Sequence, residues 1–199
     1  MLYQFDKAGG AASVLDAAVP APKSKFIALF AVLGLCLFSA ATVKAFEIYK
    51  TFQTPEVFLA EVFKNNVPAP KMLILDSNDQ REIAAVFNRS FPQQRVRYWE
   101  DGERTVWIFD DIGKEGYVPT TSGFVINNGV VDSAKVLVYR ESRGEQVAEP
   151  SFLNQINGSK AAGNGLDKPV DNITGATLSV NMMKRMARTA ITLDSLRNK

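Results

Sequence analysis

Between Lys25 and Lys44 the chain runs for eighteen residues, Phe26 to Val43, without a charge, and no other segment limits its folding as strongly. As a helix rising about 1.5 Å per residue the run spans about 27 Å, close to the ~30 Å hydrocarbon core of a bilayer. The flanking lysines can snorkel, and Ala45, Phe46, Ile48 and Tyr49 extend the apolar length. The expectation is a tail over residues 1–25, a transmembrane helix over 26–46 and a folded domain over 50–199. A signal peptide cut near Val43-Lys44-Ala45 is the competing reading. Against it, 25 residues carrying acids as well as bases precede the run. Lysines stand on both sides, so charge barely sets the orientation.

Composition then removes whole classes of chemistry. The chain has no histidine and a single cysteine, Cys36, inside the apolar run. No Cys/His zinc site, no Cys-x-x-Cys-His haem attachment and no internal disulfide can be built. Histidine base catalysis and a Cys–His pair are equally excluded. The 23 basic and 21 acidic residues are interspersed without a basic stripe, which argues against nucleic acid as a partner. If such a chain handles electrons, an organic cofactor has to carry them.

Residues 50–199 read as an α+β domain, a largely antiparallel sheet with packed helices. Thr54 and Pro55 open a helix whose apolar positions are Val57, Phe58, Val62 and Phe63, with Pro68 and Pro70 as its stop. Lys71–Leu75 reads as a strand. Ser77 to Gln80 reads as the capping box of a second helix bearing Ile83, Val86 and Phe87. Strands over Arg95–Trp99 and Arg104–Phe109 flank an Asp101-Gly102 turn signal, and strands over Gly123–Ile126 and Val130–Tyr139 flank another turn, Asn127-Asn128-Gly129. Val136 to Tyr139 are apolar on both faces, as in a strand covered twice. The last helix, from about Ser179 to Leu196, carries Met183, Met186, Ala187, Ala190 and Ile191 along one side, a stripe best read as core packing.

Asp171-Asn172-Ile173-Thr174-Gly175-Ala176-Thr177-Leu178-Ser179 precedes that helix. Gly175 and Ala176 leave the backbone open to close approach, and Thr177 reads as a hydroxyl presented at a helix N-terminus, where free N–H groups favour a phosphate. A plain loop with a Ser or Thr cap would satisfy the same letters.

The pattern resembles the flavinylation motif of the FMN-binding domain family, Asp-x-x-(Ser/Thr)-Gly-Ala-(Thr/Ser), and Glu141-Ser142-Arg143-Gly144 resembles that family's Glu-(Thr/Ser)-x-Gly turn. Phe152 to Ile156 parallels an aromatic segment between the two. The resemblance is good over about residues 115–195 and loose over 50–114. Arg143 and Glu145 make the turn more charged than the Pro-Gly-Leu-Gly form of Rnf- and Nqr-type subunits, which points to a sister branch.

The resemblance implies FMN held by a phosphoester to Thr177, installed by a magnesium-dependent flavin transferase that uses FAD and releases AMP. It implies that Asp171 serves transferase recognition or caps the local turn, and that Thr174 and Ser179 bond the phosphate or cap the helix. Glu141, Ser142, Arg143 and Gly144 become the turn that meets the ring, with an exposed Glu141–Arg143 ion pair as the plainer reading. Tyr117 and Phe152 are candidates to stack on the ring, or else core. Trp99 and Trp107 are packing residues. Catalytic and metal-ligating residues are expected to be absent.

The implied setting is the bacterial inner membrane, crossed once, with the main domain in the periplasm. The partners would be membrane lipid and the other subunits of a membrane redox complex. No Gly-x-Gly-x-x-Gly follows a strand, so nicotinamide binding is not expected. The leading function is thus a membrane-anchored electron-transfer subunit. A structural or assembly subunit with a vestigial flavin motif and a self-sufficient flavin reductase are the other readings.

Overall fold

Thr54 accepts a hydrogen bond from Val57 N at 3.4 Å, and Pro55 follows it, so the first helix begins where its cap and its proline dictate. The structure is a computed structural model and describes residues 49–114 and 118–199. The apolar run, the expected spanning helix over 26–46 and Tyr117 lie outside the described residues. Among the described residues no helix is long and apolar enough to cross a membrane.

Six antiparallel strands build the main sheet: β1 (Lys50–Thr51), β2 (Lys71–Ile74), β3 (Arg95–Asp101), β4 (Arg104–Asp111), β5 (Thr120–Asn127) and β6 (Val130–Tyr139). Their order across the sheet is β1-β6-β5-β4-β3-β2. Helix α1 (Pro55–Val62) lies on one face, and α2 (Ser77–Phe87), α3 (Pro150–Ile156) and α4 (Thr177–Leu196) pack into the core of the other. A two-stranded hairpin, β7 (Ala161–Ala162) and β8 (Gly165–Leu166), stands apart. The α+β class with an antiparallel sheet is as the sequence predicts.

Each face of the sheet has its own core. Under α1, Phe58, Leu59 and Phe63 meet Val106, Val125, Leu137 and Val138. On the other face, Val136 and Tyr139 join the α4 stripe of Met182, Met183, Met186, Ala187 and Ala190. The C-terminal part of β6 is therefore covered twice, as its apolar run predicts. Gly123 makes the α1 layer possible: a Cβ there would press on the Phe58 ring, with Cδ1 only 2.9 Å away. Tyr98 stacks on Trp107 with centroids 4.8 Å apart, and the Trp107 indole donates to Thr105, whose hydroxyl donates to Asp194 at 2.6 Å. Both tryptophans are packing residues, as expected, although Trp99 is only partly buried.

Several local features differ from the sequence reading. Asp76 caps α2, not Ser77: its carboxylate accepts from Asn78 N at 2.7 Å and Asp79 N at 2.9 Å, and Asp79 returns a bond to Asp76 N. A carboxylate beside two free N–H groups is the stronger acceptor, so the box closes one residue earlier. Helix α1 stops at Val62, well before Pro68, because Lys64 and Asn65 take left-handed φ values of 51° and 65°. The first hairpin loop is Gly102-Glu103, with Asp101 already paired to Arg104. Asn128 and Gly129, at φ 51° and 71°, form the expected type I′ turn. Pro150–Ile156 forms a helix that the apolar spacing does not predict; proline at its first position is its signal.

Candidate functional site

The C-terminal ends of β4 and β6 and the start of α4 converge on one open cleft. Lys114, the turn from Glu141 to Arg143, and Gly175 to Ser179 line it, and its volume is about 490 Å3. The two segments singled out in the sequence, 36 residues apart from Glu141 to Thr177, thus form two walls of the same depression.

The approach to α4 is a tight turn. Ala176 N donates to Ile173 O at 2.9 Å, and Gly175 takes φ 81° at the third position, a value that favours glycine. A Cβ at Gly175 would meet nothing within 4 Å, so the space beside it is open. Ala176 is buried instead, and the close approach expected of both residues is available only at Gly175. Thr177 is the first residue of α4, not the one before it, because Ala176 occupies the cap position without a side-chain bond. The start of this 20-residue helix therefore keeps N–H groups that no capping side chain satisfies.

Thr177 is exposed at the cleft mouth, and its hydroxyl accepts a hydrogen bond from Asn172 Nδ2 at 2.9 Å. Leu178 beside it is 50% exposed. Thr174 and Asp171 are exposed as well, and neither side chain caps α4. Asp171 is tied by its backbone, with its N–H donating to Gln155 Oε1 of α3 at 2.8 Å. Thr174 therefore does not cap α4, and the turn before the helix closes through its own backbone, from Ala176 N to Ile173 O.

Ser179 points inward. It is buried, and its hydroxyl lies 3.0 Å from the Tyr139 hydroxyl and 3.5 Å from Glu141 Oε2. It caps nothing. Glu141 accepts from Gly113 N at 2.5 Å. No ion pair joins Glu141 to Arg143 among the described residues; that carboxylate accepts from a backbone amide and lies beside the Ser179 hydroxyl. Ser142 and Arg143 are exposed, while Gly144 is buried at φ 93°. Phe152 is 3% exposed inside the core, which removes it as a stacking residue.

Burial shapes the charges below the cleft. Desolvation pushes the Tyr139 hydroxyl up from 10.0 to about 12, with a smaller opposing effect from its bond to Ser179. Arg185, two turns along α4 from Thr177, bonds Asp111 Oδ2 at 2.6 Å and Ile112 O at 2.5 Å, while Arg89 pairs with the other Asp111 oxygen. Desolvation lowers the Arg185 value, and the buried Asp111 carboxylate sits between the Arg89 and Arg185 guanidinium groups. No group of three or more metal-ligating side chains occurs among the described residues.

Sequence reading identified the two walls and the exposed threonine. Asn172, Gln155, Tyr139 and Gly113 were missed as contributors; Asn172 was legible only as a short amide five residues before Thr177, and Gly113 had no signal at all. The arrangement offers an accessible hydroxyl, an uncapped helix start and a cleft of a size that suits a small cofactor. No curated protein and no solved structure matches the chain. Residues 113–192, which hold every wall of this cleft, match the family model of the FMN-binding domain.

Proposed function

We propose that the chain carries FMN covalently on Thr177 and works as a membrane-anchored electron-transfer subunit. The family match supports FMN binding and a role of the electron-transfer type. The covalent linkage is supported by one observation above the others: Thr177 presents an exposed hydroxyl at a helix start that lacks a side-chain cap. A phosphodiester there would lie against unsatisfied N–H groups, a contribution of about 0.3–1 kcal/mol when exposed.

The residues present suit that group. The cleft, about 490 Å3, falls within the range of small-molecule sites, and Lys114 and Arg143 place cationic side chains on its lining. Glu141 adds a carboxylate, but one already bonded to Gly113 N and placed beside Ser179. Asn172 holds the Thr177 hydroxyl as a donor, leaving the threonine's own hydrogen available for removal. A neutral alcohol is a weak nucleophile, so a flavin transferase has to supply the base. In the transfer, the Thr177 oxygen bonds to the FMN phosphorus of FAD, AMP leaves, and the hydroxyl proton passes to the transferase. Bound FMN supplies chemistry in single electrons or pairs, and the chain's own residues hold it and orient it.

The anchored setting is the second half of the proposal. The uncharged run over 26–43 supports a single span. The family resemblance carries the rest of the setting: the domain on the periplasmic side of a bacterial inner membrane, facing other subunits of a redox complex. A tether keeps the cofactor with its carrier on a side where free FMN is scarce. The test is chemical: chain purified from a host with an active flavin transferase is denatured and acid-precipitated. Flavin absorbance in the protein pellet supports the proposal. Flavin released to the supernatant refutes covalent attachment and leaves a reversible binder. A colourless chain favours the assembly subunit with a vestigial motif.

A further inference from the structure

We infer that Tyr139 is a positioning residue for flavin attachment: with Ser179 it ties the 141–144 turn to the first turn of α4 and so fixes how Thr177 is presented. This rests on the reading of Thr177 as the attachment residue.

Tyr139 ends β6 and is 2% exposed, with its ring in the main core. Phenylalanine would fill that volume, so packing alone does not call for a hydroxyl. A buried hydroxyl needs partners, and here both partners belong to walls of the cleft. The Tyr139 hydroxyl donates to Arg143 O, in the turn, and stands 3.0 Å from Ser179 Oγ, in the helix. Because its one hydrogen goes to Arg143 O, Ser179 is the donor of the second bond. The direction is Ser179 to Tyr139 to Arg143, with Glu141 Oε2 3.5 Å from the same serine oxygen. Glu141 accepts from Gly113 N, a separate bond that ties the 141–144 turn to the third wall.

Two features show that the contact is tight. Gly144 lies directly on Ser179: a Cβ at 144 would press on Ser179 Oγ and come within 2.9 Å of both Ser179 Cβ and the Tyr139 oxygen. The burial that raises the Tyr139 value to about 12 keeps the phenol protonated, hence a donor, throughout the neutral range. Ser179 is two residues from Thr177 on the same helical turn, so whatever fixes Ser179 fixes the helix start that bears the hydroxyl.

The experiment uses the full chain, purified without flavin, and measures flavin transfer by a purified magnesium-dependent transferase with FAD, beside amide exchange. Tyr139→Phe and Ser179→Ala are compared with wild type. Tyr139 is buried and touches no transferase, so KM for the chain is expected to hold while kcat falls about tenfold, the size of one lost buried hydrogen bond. Amides at Gly144 and Ser179 are expected to exchange faster in both variants, with helix α1 on the opposite face of the sheet unchanged. Wild-type kcat in Tyr139→Phe overturns the inference, as does a slow variant whose exchange rises uniformly across the domain. A wild-type chain that takes no flavin, while the turn amides of the two variants respond as described, defeats the attachment reading and this inference together. That pattern differs from loading at equal rates, which defeats only the role of Tyr139.

Discussion

Gly144→Ala isolates the packing of the cleft wall from the conformation of its backbone, because Gly175 provides a matched control. Both glycines hold positive φ, 93° and 81°. For either, an alanine adds about 1–2 kcal/mol of left-handed backbone strain. Only at 144 does the new Cβ collide: it presses on Ser179 Oγ and lies 2.9 Å from Ser179 Cβ and the Tyr139 oxygen, whereas at 175 it meets nothing within 4 Å. Overpacking of this kind costs about 1–3 kcal/mol more. Gly144→Ala is thus expected to lose about 2–5 kcal/mol, a large part of the ~5–15 kcal/mol that holds a typical domain, and Gly175→Ala only the first portion. Urea unfolding followed by tryptophan fluorescence reads the difference, since the only tryptophans, Trp99 and Trp107, both lie in the sheet. With slopes of about 1–3 kcal/mol per molar urea, the two midpoints should differ by about 1 M. Equal midpoints would show that the turn does not rest on Ser179 and would refute the geometry from which the site is argued.

Two further outcomes follow from buried groups. The Tyr139 hydroxyl is raised from 10.0 to about 12, so its folded state holds the proton more tightly than the unfolded chain; the associated stability is intact below pH 10 and is lost as pH rises to 12. The loss is on the order of 2–3 kcal/mol, so the stability difference between wild type and Tyr139→Phe should be flat below pH 10 and shrink above it. A difference that stays constant to pH 12 would contradict it. Asp111→Asn removes the carboxylate shared by Arg89 and Arg185, whose own side chain is fully buried. Because Arg89 reaches solvent, the loss should be about 2–3 kcal/mol, below the ~3–5 kcal/mol of a fully buried pair. An unchanged thermal midpoint would show that the cluster is solvated.

What the sequence made legible were the features governed by near neighbours. The methionine stripe of α4 repeats at helical spacing, and its residues Met183, Met186, Ala187 and Ala190 are buried. Asn128-Gly129 forces its turn through two positive φ angles. Thr54-Pro55 opens α1 by capping and a preset φ. Illegible features depend on distant pairs. Ser179 looks like a helix cap from its neighbours, but Tyr139, 40 residues earlier, draws its hydroxyl inward. Glu141 and Arg143 look like an ion pair until Gly113 claims the carboxylate. The seven-residue α3 is too short for a periodicity signal; its Phe152, Leu153 and Ile156 are buried by the fold that it helps to complete.

The attachment of FMN to Thr177 is tested most directly by intact mass of the chain from a host with an active flavin transferase, with fragmentation across residues 171–185 beside a Thr177→Ala control. The account predicts an added mass of one FMN less one water, localised to Thr177 and absent from the control. An unmodified Thr177, or the same added mass retained in Thr177→Ala, would contradict it.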